Sequence, residues 1–360
     1  MKYSDEFRDP QLARNLLARI EAHSTQALQF MEFCGGHTHA IFRHGLRQML
    51  PPTVQLRSGP GCPVCVTANS ELDRALALAR LPGLILTTFG DMLKVPGSYG
   101  SLQTAKAEGA DVRMVYSTLD ALEMARGNPE RPVVFLGVGF ETTAPTVAAA
   151  VLQAEAEGLE NFSVLSLHKL TPPATRAILD AGEVNLAGII GPGHVTTVIG
   201  SEAWEFLPRE YAVPCAVAGF EPLDILRAVA ALVEMAEERQ AAVVNTYSRS
   251  VRPGGNPAAL EMVSRVFEVG EADWRGLGWV PASGLRLRSQ YGRFDAALIF
   301  PVDPGPTREH RGCRCGEVLR GILEPPECPL YNRTCTPARP VGPCMVSAEG
   351  ACAAWYRYHR

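Results

Sequence analysis

The sequence predicts an α/β protein in which two similar parallel-sheet domains are followed by a smaller, loop-rich domain. Two observations lead to this fold class. From about residue 27 to residue 240, short and continuous apolar runs alternate with amphipathic helical stretches, which is typical of parallel sheets covered by helices on both faces. After about residue 246, prolines, glycines and arginines become dense and regular periodicity fades, apart from a helix around Pro257–Phe267.

The elements of the first 245 residues follow from hydrophobic periodicity. Candidate strands are Ala27–Phe33, Val54–Arg57, Leu84–Thr87, Val112–Tyr116, Val133–Val138, Ser163–Leu167, Ala187–Ile190 and Pro214–Ala218. Candidate helices include an amphipathic N-terminal helix and the stretches Leu72–Arg80, Pro145–Glu157 and Leu223–Glu238. Because ligands bind at the carboxyl ends of parallel strands, the loops that follow these strands are the first place to look for a site.

A short internal repeat suggests where the domains divide. Gly59-Pro60-Gly61 precedes Phe89-Gly90-Asp91, and Gly191-Pro192-Gly193 precedes Gly219-Phe220-Glu221 at nearly the same spacing. We therefore predict α/β domains at 1–127 and 128–245, joined near Gly127-Asn128-Pro129, and a third domain at 246–360.

Bulk properties exclude several classes of function. The formal net charge is −4 and the pI is about 6.1, so the basic excess that nucleic-acid binding requires is absent. The N-terminus is charged throughout and lacks the apolar segment of a secretory signal. Apolar runs such as 133–138 are far shorter than a membrane span. These features predict a cytoplasmic protein without nucleic-acid or membrane partners.

The chain has 10 cysteines, and their distribution suggests two separate sites. In a reducing compartment, clustered cysteines more often bind metal or carry out redox chemistry than form structural disulfides. Three lie early in the chain and six lie near its end. Cys215 stands alone inside an apolar strand and is expected to be an inert core residue.

Four of the late cysteines predict an iron–sulfur cluster. Cys328, Cys335, Cys344 and Cys352 are widely spaced, and a [4Fe–4S] cluster requires four thiolates. A zinc site, with His359 close by, and ordinary buried thiols are the alternatives. Zinc sites usually use tighter knuckles than these. Cys313 and Cys315 could compete with these four cysteines as cluster ligands, but we treat both as non-ligands.

Cys62 and Cys65 form a Cys-x-x-Cys pair that predicts a second site. The pair follows a strand and a Gly-Pro-Gly loop and leads into a helix, whose N-terminus is expected to lower thiol pKa values. Reversible disulfide formation is one interpretation. Alternatively, the two residues are half of a zinc knuckle or are simply two buried cysteines.

Cys34 strengthens the functional interpretation of this region. It ends a strand and is followed by Gly35-Gly36 and then by His37 and His39, at the start of a helix predicted over His37–Leu50. A cysteine at the positive end of a helix is a good nucleophile or a soft ligand for iron. The histidines are candidate site residues or simple hydrogen bonders of the helix start.

Nine motifs in order give the chain a family resemblance. They are FCGGHTHAI, SGPGCPVCVT, TFGDMLKVPGS, GFETTAPT, GPGHV, GFEPLDIL, WRGLGWVPASG, CRCGEVLRG and the final four-cysteine pattern. From about residue 30 to the C-terminus the sequence resembles the HypD family of hydrogenase maturation proteins. The resemblance implies two similar α/β domains and a cluster domain.

The resemblance also implies a function in [NiFe] hydrogenase maturation. The family works with the small chaperone HypC, while HypE delivers cyanide, to build an Fe(CN)2CO unit. By motif, Cys34 would bind iron together with a HypC cysteine, and His37 belongs to the same motif. Cys62 and Cys65 would bind iron or undergo thiol redox chemistry, and Cys328, Cys335, Cys344 and Cys352 would hold a [4Fe–4S] cluster.

Two other functions remain open. One is a cluster-dependent disulfide reductase that acts on a thioredoxin-like partner, which would need the cluster and the Cys-x-x-Cys pair but not Cys34. The other is a passive scaffold with a structural cluster. Whether the protein turns over as an enzyme, or acts as a redox-active maturation factor, is not decided by the sequence.

Overall fold

The computed structural model describes residues 5–358 and contains two parallel β-sheets, a β-hairpin and a cysteine-rich C-terminal segment. His359, a candidate zinc ligand, lies outside the described residues. The strands are β1 (Leu28–Glu32), β2 (Val54–Ser58), β3 (Ile85–Thr88), β4 (Asp111–Met114), β5 (Val133–Gly139), β6 (Phe162–His168), β7 (Gly188–Pro192), β8 (Cys215–Ala218), β9 (Val243–Asn245), β10 (Phe267–Trp274) and β11 (Gly278–Leu287).

The helices alternate with these strands as expected for an α/β fold. The α-helices are α1 (Pro10–His23), α2 (Gly35–Arg43), α3 (Leu46–Met49), α4 (Pro63–Val66), α5 (Asn69–Ala79), α6 (Leu102–Ala107), α7 (Thr118–Gly127), α8 (Ala144–Glu157), α9 (Thr171–Ala181), α10 (Gly193–Ile199), α11 (Phe206–Tyr211), α12 (Pro222–Glu237), α13 (Pro257–Val266), α14 (Ala296–Ile299), α15 (Cys315–Leu319) and α16 (Ala351–Tyr358). Short 3-10 helices lie at Asp5–Phe7, Gly90–Lys94, Ser201–Trp204, Ser289–Phe294, Pro325–Glu327 and Pro343–Met345. The helix predicted over His37–Leu50 is interrupted at Gly45, which has a left-handed φ of 64°.

The first sheet has the strand order β2-β1-β7-β8-β9, and its strands pair in parallel. Successive residues of β1 face opposite layers, as strand geometry requires. Phe30 packs with the core beneath α1 and α12, whereas Met31 packs on the other face with residues of the C-terminal segment. Helices cover one face of this sheet, and the cysteine-rich segment helps to cover the other.

The second sheet has the order β4-β3-β5-β6 and is also parallel. Its central strand β5 is buried at every position. Phe135 packs with α7, α8 and the hairpin, and Leu136 packs with α5 and α6 on the opposite face. These two sheets confirm the predicted α/β class, and each of the eight candidate strands forms.

The strands are not distributed as the predicted division into 1–127 and 128–245 requires. Ile85 of β3 pairs with Val133 of β5, so the predicted boundary would cut through the second sheet. Residues 85–168 form this sheet as one insertion between two parts of the first sheet. The repeated Gly-Pro-Gly motif misled the prediction, because it marks the ends of β2 and β7, which flank β1 in one sheet.

The region after residue 246 contains more regular structure than its sequence suggests. The predicted helix forms as α13, and β10 and β11 then pair as an antiparallel hairpin. The hairpin packs against the second sheet: Ser166 Oγ donates to the carbonyl of Leu285 at 2.9 Å. After α14 the chain is mainly loops and short helices. Among the helices of the described residues, none has the length and apolar character needed to cross a bilayer.

Candidate functional site

The carboxyl edge of the first sheet collects the loops that the sequence singled out. Strands β2, β1, β7 and β8 are neighbours, so the segments that follow them meet at one edge. Cys34 follows β1, Cys62 follows β2, His194 follows β7 and Phe220 follows β8. Pairing of the strands, rather than proximity in sequence, therefore assembles the site.

Cys34 lies at the N-terminus of α2, where the neighbouring loop packs directly against its backbone. The amide of Gly35 donates to the carbonyl of Gly61 at 2.8 Å. A Cβ atom added at Gly61 would lie 2.2 Å from the Cys34 nitrogen. Only glycine permits this approach, and it brings the Cys62 loop against the Cys34 loop.

The surroundings of Cys34 are acidic. Glu32 is buried, and its Oε2 accepts a hydrogen bond from the Cys34 amide at 3.0 Å, while Thr38 donates to its other oxygen. Burial raises the pKa of Glu32 to about 8. Burial, and then the nearby Glu349 carboxyl, raise the pKa of Cys34 to about 12.

This result differs from the expectation that the helix start would produce a thiolate. Hydrogen bonds from the amides of Gly36 and His37 do lower the pKa of Cys34, but desolvation outweighs them. The metal-free thiol is therefore protonated at neutral pH. A metal ion bound by Cys34 has to displace that proton.

His37 is a buried positioning residue beneath this site. Its Nε2 donates to the carbonyls of Ala218 and Gly219 at 3.1 and 3.0 Å, and its ring stacks on Phe220. Burial lowers the pKa of His37 to about 4, so the ring is neutral. Nδ1 has no hydrogen-bond partner among the described residues. His194 stacks on Phe220 as well, with a centroid distance of 3.9 Å.

Cys62 and Cys65 form a buried and closely spaced pair. Cys62 caps α4, and its sulfur accepts from the Cys65 amide at 3.3 Å. The two sulfurs are 2.6 Å apart, and the residues are 3% and 0% exposed. Burial raises the pKa of Cys65 well above its usual value, so the expected lowering at the helix start does not apply to this thiol.

The Cys62–Cys65 pair is connected to the C-terminal cysteines, which the sequence analysis treated as a separate site. The thiol of Cys344 lies close to those of Cys315, Cys352 and Cys65, and these three neighbours lower its pKa. A continuous group of thiols thus extends from α4 into the C-terminal segment. Contacts between residues this far apart in the chain leave no local sequence signal.

The C-terminal cysteines surround a small cavity. Its wall includes five of them, together with apolar residues such as Leu330 and Met345: Cys313, Cys315, Cys328, Cys335 and Cys352. The thiol of Cys344 interacts with two of these cysteines, Cys315 and Cys352. Gly342 has to be small, because an added Cβ would lie 2.5 Å from the sulfur of Cys315 and 2.7 Å from that of Cys313.

The cavity wall has the donors that an iron–sulfur cluster needs. The described residues contain no group of three or more His, Cys, Asp or Glu side chains arranged to hold a metal ion. The wall nevertheless carries more than the four thiols a [4Fe–4S] cluster uses. The Val341 amide donates to the sulfur of Cys335 at 3.3 Å, a contact that stabilises a thiolate. The chemistry of the donor set therefore fits such a cluster.

Sequence reasoning missed two acidic residues of the site. Glu32 lies in a strand that is otherwise apolar at its buried positions, and a charged residue there was a usable signal. Glu349 lies far along the chain, and its side chain packs against Gly35, where an added Cβ would be 2.5 Å away. Cys215, in contrast, is fully buried in β8 as expected.

Comparison with known proteins agrees with the motif order. The sequence model of HypD, described as the hydrogenase formation hypA family, matches residues 11–359. The chain belongs to the HypD family. The hydrogenase maturation factor HypD of Azotobacter vinelandii is 51% identical over 369 residues, covering 100% of this chain and 97% of that protein. This HypD-family chain is thus a hydrogenase maturation factor.

More distant relatives match over the same extent. HypD of Cupriavidus necator is 49% identical over 370 residues, covering 100% of this chain and 98% of that protein. HypD of Escherichia coli K12 is 44% identical over 368 residues, covering 100% of this chain and 99% of that protein. The family assignment therefore applies to both sheets and to the cysteine-rich segment.

Proposed function

We propose that this HypD-family chain is the redox-active scaffold on which the Fe(CN)2CO unit of a [NiFe] hydrogenase is assembled. Its partners are a HypC-type chaperone, which shares the iron, and a HypE-type protein, which delivers cyanide. The observation that carries the proposal is the position of Cys34, on a loop that packs against the Cys62 loop, next to a continuous group of thiols.

Iron is the substrate, and Cys34 is its proposed ligand. Low-spin ferrous iron that carries cyanide and CO is held well by a soft thiolate. The high pKa of Cys34 means that iron binding releases a proton. The Glu349 carboxyl, whose charge acts on Cys34, lies where it can receive the proton. Glu32, with a pKa of about 8, is already mostly protonated at neutral pH. His37 fixes the start of α2 from beneath.

The dithiol supplies the electrons for cyanide transfer. Release of cyanide from a sulfur-bound carrier breaks a sulfur–carbon bond and consumes two electrons. Oxidation of Cys62 and Cys65 to a disulfide provides two electrons and two protons, so the step balances. The carrier leaves as a thiol, and cyanide passes to iron. The short distance between the two sulfurs supports this role, because closing the disulfide needs little movement.

The proposed cluster ligands are Cys328, Cys335, Cys344 and Cys352. A [4Fe–4S] cluster held there would supply one-electron chemistry to the neighbouring thiols. Cys328, Cys335 and Cys352 line the cavity, and the thiol of Cys344 interacts with that of Cys352. Cys344 also interacts with Cys65, so it would connect the cluster site to the dithiol.

A disulfide reductase acting on a thioredoxin-like partner is less well supported. Such an enzyme needs an attacking sulfur that a protein disulfide can reach, and Cys62 and Cys65 are buried. A passive scaffold would not need a dithiol in contact with the C-terminal cysteines. Neither alternative explains an acidic pocket around Cys34.

Infrared spectroscopy of the chain, purified anaerobically with its HypC-type partner, tests the proposal. Cyanide and CO stretching bands are expected. Cys34→Ala and Cys34→Ser should both remove them, since a hard alkoxide is a poor ligand for this iron. The brown colour of the cluster should remain in both variants. Normal hydrogenase maturation in cells whose only copy is Cys34→Ala would refute the role of this cysteine.

A further inference from the structure

A second cleft opens onto the cysteine group from the outside of the molecule. It has a volume of about 350 Å3, and its lining includes Cys313 and Cys315. Cys315 is buried, but Cys313 is partly exposed. The cleft therefore gives solvent a short route to the C-terminal cysteines, whereas Cys62 and Cys65 are covered.

The rim of this cleft is cationic. Arg308 lines the cleft, and Arg311 lies two residues before Cys313. Both arginines are exposed, and neither forms an ion pair with another described residue. Glu309, which also lines the cleft, is neutralised by Arg275 at 3.0 Å. The rim therefore carries local positive charge, although the formal net charge of the whole chain is −4.

The rim is held in place by its neighbours, although it has no regular secondary structure. The Arg308 amide donates to Ser98 Oγ at 2.7 Å, and Asn69 donates to the Arg308 carbonyl at 2.8 Å. Tyr99 donates to the carbonyl of Pro306 at 2.6 Å. These bonds use the backbone of the loop and leave the arginine side chains for a partner. A surface ordered before binding loses less entropy when a partner docks.

A buried guanidinium also lies at the base of the cleft. Arg275 is 7% exposed and donates to the carbonyl of Thr67 at 3.1 Å and to the side chain of Asn69. The guanidinium of Arg275 and the thiol of Cys313 line the same cleft. Because Arg275 is paired with Glu309, the net positive charge of the cleft comes from Arg308 and Arg311 at the rim.

We propose that this cleft is the docking site of an acidic one-electron carrier protein, which delivers electrons to the cysteine group at Cys313. The inference rests on the proposed function, since a dithiol that is oxidised in each assembly event has to be reduced again. Each docking oxidises the carrier by one electron. Two docking events therefore supply the two electrons that reduce one Cys62–Cys65 disulfide. Its sulfur–sulfur bond breaks, and two protons from solvent complete the two thiols.

Direct binding and electron transfer test this site, with reduced flavodoxin as the acidic carrier and the anaerobic full-length chain as acceptor. Reversal of the rim charge in Arg308→Glu/Arg311→Glu should weaken flavodoxin binding and slow reduction at least about tenfold at low ionic strength. In the unmodified chain, both the affinity for flavodoxin and the rate of reduction should decline as salt is added. Reduction by the methyl viologen radical cation should not slow in the double variant, because that donor is positive.

Arg265→Glu is the matched control, since Arg265 is exposed on α13 and does not line the cleft. It should bind flavodoxin as the unmodified chain does. Equal binding by the rim variant and this control would overturn the docking site and leave the proposed function intact, provided that dithionite still reduces the chain. A chain with no chromophore that dithionite reduces would overturn both. Arg308→Ala leaves the backbone hydrogen bonds of the loop in place. It should weaken flavodoxin binding and slow reduction, but less than the double variant does.

Discussion

The thiols of Cys65 and Cys344 lie close enough to perturb each other's pKa, although they come from opposite ends of the chain. Cys65 belongs to α4, which follows the first sheet, and Cys344 belongs to the 3-10 helix Pro343–Met345. This contact joins the N-terminal dithiol to the C-terminal cysteines. Cys344 also interacts with Cys315 and Cys352, which line the cavity among the late cysteines.

The first prediction concerns the fourth cluster ligand. Cys344→Ala should bleach the brown anaerobic protein and remove most of its iron and sulfide, which should be about four of each. Cys313→Ala should keep the colour, because the proposed set of four ligands holds the cluster without Cys313. Iron and sulfide analysis with visible spectra measures both. Cys215→Ala, in the core of β8, controls for the loss of a cysteine. Bleaching by Cys313→Ala, with Cys344→Ala still brown, would instead support the set Cys313, Cys328, Cys335 and Cys352.

The second prediction concerns the dithiol. Mild oxidation should form a Cys62–Cys65 disulfide, because the sulfurs are already 2.6 Å apart. In the reduced native protein both thiols should react slowly with an alkylating reagent, since both are buried and the pKa of Cys65 is raised. Mass spectrometry after alkylation under denaturing conditions counts the protected cysteines. Cys65→Ala should abolish the protection, and Cys34→Ala should leave it unchanged. Continued protection in Cys65→Ala would show that a different pair is oxidised.

The two sheets could be predicted from sequence because each strand is a continuous apolar run between turn signals. The β1 run, for example, forms within a residue or so of its predicted limits. The pairing of β5 with β3, rather than with β7, could not be predicted in the same way, because the sequence of an apolar strand does not indicate which strand it pairs with. The hairpin of β10 and β11 was missed since its outward positions are charged or exposed.

In the candidate site, too, the residues with a local sequence signal could be predicted, whereas the contacts that depend on tertiary packing could not. Cys34, Cys62 and Cys65 were found because each follows a strand of a parallel sheet and precedes a helix. The contact of Cys344 with Cys65 was not, because it depends on how the C-terminal loops fold over α4. The protonation of Cys34 was also mispredicted: the helix start is visible in the sequence, but burial and the side chain of Glu349 are not.

The third prediction concerns the pH dependence of stability at Glu141. This carboxyl is buried after β5, and its Oε1 accepts from the Thr171 amide at 2.7 Å, whereas Oε2 has no partner among the described residues. Burial raises its pKa from 4.5 to about 7. The folded chain therefore holds a proton that the unfolded chain releases between these values. The stability that this proton provides is fully present below pH 4.5 and is lost as the pH rises through 7.

Glu141→Gln should remove this part of the pH dependence, which is at most about 3 kcal/mol. Urea unfolding of the variant and of the unmodified chain, at about pH 5.5 and about pH 8, measures it. Glu155→Gln, at an exposed position of α8, is the control and should behave as the unmodified chain does. An unchanged pH dependence in Glu141→Gln would show that other groups produce it.

The fourth prediction concerns the buried ion pair of Lys169 and Glu71. Lys169 is 1% exposed, and its Nζ donates to both oxygens of Glu71 at 2.9 and 3.0 Å and to the carbonyl of Asp273 at 2.7 Å. The pair thus ties α5 to the end of β6 and to the hairpin. Burial raises the pKa of Glu71, and the charge of Lys169 opposes that rise. Removing the lysine leaves a buried carboxylate without its counterion.

Lys169→Met should therefore lower the free energy of unfolding by about 3–5 kcal/mol. The double variant Lys169→Met/Glu71→Gln should recover part of this loss, because it no longer buries an unpaired charge. Urea unfolding of the single and double variants gives the coupling between the two residues. Arg126→Met is the control: Arg126 pairs with Glu157 at 2.6 Å on the surface, where solvent screens the charges, so its loss should be much smaller. Equal losses from Lys169→Met and Arg126→Met would show that the buried pair does not fasten α5 to the hairpin.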